Sequence, residues 1–160
     1  MDESVPGQAT VTCKNVTDMR AMFENCSNLT SIDLSTFDTS KVNTMGSMFK
    51  NCTSLVSADL SNFNTSRVIK MNGMFYRCKS ISSLDLSNFD TSKVTNMDSM
   101  FCNCNNLTTI KGVIDMKSCT EECYDMFRGC TSLKNVNIKN PPADFENMSY
   151  LSSSQYTIVS

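Results

Sequence analysis

A motif recurs every 26 residues along most of this chain. Cys26, Cys52, Cys78, Cys104 and Cys130 keep that spacing, as do Met22, Met48, Met74, Met100 and Met126, and Phe23, Phe49, Phe75, Phe101 and Phe127. Columns that agree in phase over this length exclude coincidence. They predict a repeat architecture, in which one unit cannot bury its apolar face alone and stacked units place like side chains on like.

The hydrophobic period changes within each unit. Val42, Met45, Met48, Phe49 and Cys52 fall on one face at helical spacing, which predicts a short helix. Ile32 and Leu34 alternate with Ser31, Asp33 and Ser35, the period of a strand with one buried face. Between these halves, Asp38-Thr39-Ser40, Asn64-Thr65-Ser66 and Asp90-Thr91-Ser92 offer short oxygen-bearing side chains suited to capping helix amides. The expected fold is therefore an α/β repeat: a leucine-rich-repeat-type right-handed solenoid of about five 26-residue strand–helix units, with a parallel β-sheet on one face. Its hand follows from the preference of β-helix-β crossovers. Strands about 4.8 Å apart would make five units roughly 24 Å long. Residues 16–140 form the repeats, residues 1–15 an N-terminal cap and residues 141–160 a C-terminal cap in this reading. Pro141 and Pro142 end the strand pattern, and Phe145, Met148, Tyr150 and Leu151 are expected to cover the open core.

The strand half LTSIDLSTF, at 29–37, follows the L-x-x-L-x-L skeleton of leucine-rich repeats. The phrases LDLSNFDTSKVTNMDSMF (84–101) and SNFNTSRV (61–68) resemble the BspA-like bacterial surface-protein repeat, over roughly residues 11 to 140. Such repeats occur in surface proteins of bacteria, mycoplasmas and some parasitic protozoa. The resemblance implies a cell-surface or secreted protein engaged in attachment or binding. It supplies no catalytic residues.

The fourth unit breaks the pattern. Gly112 stands where Leu34, Leu60 and Leu86 stand earlier, and a glycine inside a strand marks a bulge. One extra residue there would carry Val113 into the Leu column and Met116 into the Phe column.

Outward-pointing strand positions give the candidate binding face. Its central column is Asp33, Asp59, Asp85, Lys111 and Asn137; Ser31, Ser57 and Ser83 flank it on one side, and Ser35, Ser61 and Ser87 on the other. Three like charges about 5 Å apart repel one another, although solvent screens much of this. The face reads either as a site for a cation or a basic partner segment, or as a solvated polar surface. A second candidate lies on the helix side, where the columns Glu24, Lys50, Tyr76, Cys102, Arg128 and Arg20, Gly46, Asn72, Asp98, Tyr124 differ from unit to unit.

Composition narrows the chemistry. The chain has no His, 9 Cys and 12 Met. Without His it lacks the commonest general base and metal ligand, and nothing else activates the abundant Ser, so an enzyme is not expected. The net charge of −2, with Lys and Arg scattered, argues against nucleic acid. No apolar run approaches the ~20 residues of a membrane span, and MDESVPGQATV does not read as a signal peptide. The cysteine column is expected to hold reduced, buried thiols, because in-register neighbours fit disulfide geometry poorly. Cys119 and Cys123 are close enough in sequence to meet, and no zinc spacing occurs. Sequons at Asn15, Asn25, Asn28, Asn51, Asn64, Asn106 and Asn147 read as common turn residues. No cofactor is expected. The leading function is non-catalytic protein binding, with a host or neighbouring-cell protein as partner, by a monomeric module of a longer chain; the alternative is a structural spacer without a ligand.

Overall fold

The computed structural model describes residues 14–120 and 123–160. Its regular elements are β1 (Ser83–Asp85), β2 (Thr109–Asp115), β3 (Asn135–Lys139), α1 (Phe145–Ser149) and β4 (Tyr156–Val159). The four strands form one parallel sheet in chain order. Parallel bridges from Asp18 to Thr44, Lys70 and Asn96 run down the opposite side at intervals of one repeat.

The stretches expected to be helices are not helices. They are chains of interlocking turns, and α1 is the one α-helix among the described residues. In the second repeat Met48, Lys50 and Cys52 donate their amides to the carbonyls of Met45, Ser47 and Phe49. The intervening amides of Met45, Ser47, Phe49 and Asn51 bond instead to Lys70, Asn72, Met74 and Tyr76 in the next repeat. Met71, Gly73, Phe75 and Arg77 repeat the device onto Asn96, Asp98, Met100 and Cys102. From Ser47 to Cys52 the amides are thereby paired alternately, one between repeats and the next within the turn. The backbone alternation needs left-handed residues, which an α-helix excludes. They recur in register at Ala21, Ser47, Ser99 and Asp125, with Gly73 completing the column, and at Asn25, Asn51, Arg77 and Asn103, with Gly129 completing the second. Three-residue turns bury side chains at i, i+3 and i+7 much as a short helix does, so periodicity alone does not separate the two.

The Asp-Thr-Ser phrases accordingly do not cap helices. The buried Thr39, Thr65 and Thr91 each bridge two repeats. Thr65 Oγ1 donates to the Asp90 carbonyl at 3.1 Å and accepts the Asp90 amide at 2.8 Å. Thr39 serves Asn64, and Thr91 serves Asp115, in the same way.

The core is a stack of columns. Phe23, Phe49, Phe75, Phe101 and Phe127 lie ring on ring at 5.4, 5.5, 5.9 and 5.4 Å. Within the cysteine column, Cys52, Cys78, Cys104 and Cys130 are buried, whereas Cys26 is exposed at the first repeat, where no preceding layer described here covers it. Met22 is likewise 38% exposed, while Met48, Met74, Met100 and Met126 are buried. The buried thiols do more than fill space. Each donates to a phenylalanine carbonyl one layer back, at 3.1 Å for Cys52 and Cys78 and 3.0 Å for Cys104 and Cys130.

Gly112 does mark a bulge. It adopts a φ of +95°, and a Cβ there would stand 2.6 Å from the Leu86 carbonyl oxygen. No other residue fits so close an approach of two backbones. The register between β2 and β3 shifts between Thr109 and Val113. The expected occupants are corrected. Val113 is 39% exposed and Ile114 is buried. Because Asp115 meets Thr91 as Asp90 meets Thr65, this repeat has lost a residue relative to the one before, not gained one. Met116 is buried, but its turn to Cys119 matches the turn from Thr91 to Val94, so it fills a threonine position rather than a phenylalanine position. The lost residue is recovered at once. Tyr124 accepts from Ser99 as Asp98 accepts from Gly73, which places Cys123 in the column of Met97. Cys119 and Cys123 therefore replace the apolar pair Val94 and Met97 with one more residue between them, and a disulfide joins them.

At the C-terminal end Phe145, Met148 and Leu151 are buried, but Tyr150 is 57% exposed. Its left-handed backbone ends α1 and turns the ring outward, where the Arg128 guanidinium lies 5.6 Å from its centre. The carbonyls that α1 leaves free at its end accept the last amides of the turn ladder, Asp125 to Met148 and Phe127 to Ser149. The chain then returns as β4, so the C-terminal segment adds a strand to the sheet as well as closing the turn layer.

Candidate binding face

The predicted face is on the surface, but its carboxylates are engaged locally. Asp33, Asp59 and Asp85 are exposed, as are Ser31, Ser57, Ser83, Ser35, Ser61 and Ser87. The Oδ1 atoms of Asp33, Asp59 and Asp85 accept the backbone amides of Ser35, Ser61 and Ser87 at 2.9, 3.0 and 3.1 Å. Each is an Asx turn that bends the chain out of the strand. The donated hydrogen bonds favour the ionised form. For Asp33 and Asp59 the Ser amide is the larger cause of a pKa below the ordinary 3.8, with the serine side chain second. For Asp85 the Ser87 side chain leads and its amide follows, with Lys111 adding a smaller attraction at 3.7 Å. Asp33 opposes the shift at Asp59 slightly, the expected sign for like charges.

Strands begin only in the third repeat. Residues 31–35 and 57–61, expected as strands, are not assigned as such. Asn62 Nδ2 reaches the carbonyls of Leu34, Ser35 and Phe37 at 3.0, 3.3 and 3.1 Å, and Asn88 does the same for Leu60, Ser61 and Phe63. An amide side chain thus ties down three carbonyls of the preceding repeat, just past the strand positions. In the fourth repeat, where Asp115 takes the place of Asp90, the counterpart of Asn88 is Val113, which has no side-chain donor, and there the main-chain ladder runs, with the Leu86 amide bonding the Lys111 carbonyl.

Two predicted neighbours are separated. Lys111 pairs with Asp85, as the column requires, but Asn137 pairs with Val113 and not Lys111, because the bulge intervenes. Asn137 is also only half-exposed. Between the second and third repeats the face forms a shallow concavity of about 310 Å³, lined by Ala58, Asp59, Leu60, Ser61, Asp85, Ser87 and Asn88. Asn62, Asn88, Thr39, Thr65 and Thr91 are the residues that sequence reasoning missed or misassigned. Their signal was present in the recurrent SNF and TS phrases, which share the 26-residue period.

The opposite, turn-built surface is less uniform than its columns promised. Gly46 and Cys102 are buried, Lys50 pairs with Glu24 at 3.0 Å, and Tyr124 is exposed. Among the described residues no three His, Cys, Asp or Glu side chains are grouped to hold a metal ion, and no helix is long and apolar enough to cross a membrane.

A parallel sheet carried on repeat-spaced ladders, with a polar face held open by its own turns, defines a repeat protein with α/β-like architecture. Residues 17–141 match the family described as Mycoplasma protein of unknown function, DUF285, and the chain belongs to that family. Membership is consistent with a repeat of bacterial surface proteins. Comparison with curated proteins and with solved structures gives no match.

Proposed function

We propose that this chain is a right-handed solenoid of about five coils, of the BspA-like leucine-rich kind, and serves as a non-catalytic protein-binding or adhesion module of a bacterial surface or secreted protein. One observation carries the reading. The Asp33, Asp59 and Asp85 carboxylates are held by their own Asx turns at one height on a rigid stack, so they meet a partner with little ordering left to do. Their ionised state and the concavity beside Asp59 and Asp85 favour a basic protein segment on a host or neighbouring cell. The test is capture of extracellular-matrix proteins by the purified chain and by the triple variant Asp33→Asn, Asp59→Asn, Asp85→Asn. Asn keeps the turn acceptor and removes the charge. Binding by the native chain that the variant loses supports the proposal; equal binding by both moves the site off this face.

A spacer without a ligand is the second reading. It is favoured by the same hydrogen bonds, since these Asp side chains have a structural task already. No capture from several matrix sources would select it.

A further inference from the structure

Away from the aspartate face, a concavity of about 340 Å³ is lined by polar side chains alone: Asn25, Ser27, Asn51, Thr53, Arg77 and Lys79. Its lining is a grid. Asn25, Asn51 and Arg77 hold one position in three successive repeats, and Ser27, Thr53 and Lys79 hold the position two residues on. The first three are left-handed, with φ of 64°, 61° and 59°. Their amides bond to the carbonyls of Lys50, Tyr76 and Cys102, each one repeat on, so the floor is fixed before any ligand arrives. Asn51 Nδ2 donates to Asn25 Oδ1 at 2.7 Å, and Thr53 Oγ1 donates to the Ser27 carbonyl at 3.4 Å. Both cations belong to the third repeat, which has described repeats on either side, so the site is not a chain end. Cys78 between them is buried, and both its neighbours are exposed. The Arg77 guanidinium lies 5.4 Å from the centre of the Tyr76 ring. Among the described residues no carboxylate forms an ion pair with Arg77 or Lys79. In the fourth repeat the same two positions are Asn103 and Asn105, so the positive charge is confined to one place in the grid.

We propose that this concavity binds an acidic saccharide, with its carboxylate or sulfate on Arg77 and Lys79 and its hydroxyls on Asn25, Ser27, Asn51 and Thr53. A guanidinium fork beside an ammonium suits a single oxyanion group. The four neutral residues bring amides and hydroxyls, which both donate and accept, as the hydroxyls of a sugar ring require. No aromatic or aliphatic side chain lines the wall, so it has no pocket of the kind that the anchor residues of a protein partner fill. The rows run along the stack. Two repeat spacings of about 4.8 Å make each roughly 10 Å long, enough for more than one sugar ring. The site is separate from Asp33, Asp59 and Asp85, and it is independent of what that face binds.

Titration calorimetry on the purified chain at about 0.15 M salt tests it. The probes are hyaluronan and chondroitin sulfate tetrasaccharides, neutral chitotetraose, and tetraglutamate. At least one acidic tetrasaccharide should bind, at least ~10-fold more tightly than chitotetraose or tetraglutamate. The double variant Arg77→Gln, Lys79→Gln, both at exposed sites and with the fold checked by circular dichroism, should weaken that binding by at least ~10-fold. Lys93→Gln with Lys134→Gln makes the same change in net charge elsewhere and should leave it within about twofold. Asn51→Gly keeps the left-handed turn, as Gly129 does in the same column, and should weaken the saccharide by several-fold through its lost amide. No binding of either acidic tetrasaccharide overturns the proposal, as does equal weakening in the two double variants. Tetraglutamate bound as tightly as the saccharides also overturns it, and would give the concavity to an acidic polypeptide.

Discussion

Replacing Thr65 by Val isolates the inter-repeat hydroxyl from everything else at that position. Thr and Val have nearly the same shape, and Thr65 is 1% exposed, so the substitution leaves packing almost unchanged. What it removes is a two-way link: the hydroxyl donates to the Asp90 carbonyl at 3.1 Å and accepts the Asp90 amide at 2.8 Å. After the change the amide has no partner in a partly buried setting, at a cost of about 1–3 kcal/mol. The carbonyl keeps a second lone pair and loses less. The two together predict a loss of about 2–4 kcal/mol, against which the added methyl returns at most about 1 kcal/mol. With a urea m-value of about 2 kcal/mol/M, the unfolding midpoint should fall by roughly 0.5–1.5 M. Thr65→Ser keeps the hydroxyl and loses only a methyl, so it should cost about 1 kcal/mol and stay the more stable of the two. Urea titration followed by circular dichroism reads both. If the Val variant matches or exceeds the Ser variant, the threonine column is packing and not a hydrogen-bonded ladder, and the reasoning fails.

Three further outcomes follow from the same geometry. Phe75→Ala, in the middle of the ring stack and fully buried, should cost about 3–5 kcal/mol in thermal or chemical unfolding, and Phe23→Ala, half-buried at the end, distinctly less; equal losses would mean the stack does not act as a column. Gly112→Ala should lower stability by at least about 2 kcal/mol, because its Cβ would press on the Leu86 carbonyl in a left-handed backbone, whereas Gly73→Asn, at a φ of +60° with its nearest neighbour at 3.5 Å, should be within about 1 kcal/mol of native. Burial raises the thiols of Cys52 to about 11 and of Cys78 and Cys130 to about 12 from the ordinary 9.0. Their contribution is therefore complete below pH 9.0, where both states keep the proton, and is lost as pH rises from there toward about 12. Stability measured across that window should fall less steeply in Cys78→Ser than in the native chain, and parallel slopes would rule the thiol out.

The period of 26 was legible at once because it depends only on identity and spacing, and the stacked Phe and Cys columns follow from it directly. The buried set Val42, Met45, Met48, Phe49 and Cys52 was legible for the same reason. The exposure of Asp33, Asp59 and Asp85 was readable from strand alternation. What those side chains do was not. Asx turns, the Asn62 and Asn88 bridges and the threonine ladder are contacts between repeats or around turns, and hydrophobic patterning is blind to them.

Sequence by itself thus determined that like residues stack on like, which are buried, and which lie outside. Tertiary structure decided how the backbone meets its hydrogen-bonding needs. Sending every second amide to the next repeat allows tight left-handed turns at Ser47 and Asn51 in place of a helix that closes its bonds within itself. It also decided the fourth repeat, where two backbones approach too closely at Gly112 for any side chain and the register moves to Ile114. Spacing along a chain records which atoms recur; only the packed layers settle which partner each amide and carbonyl finds.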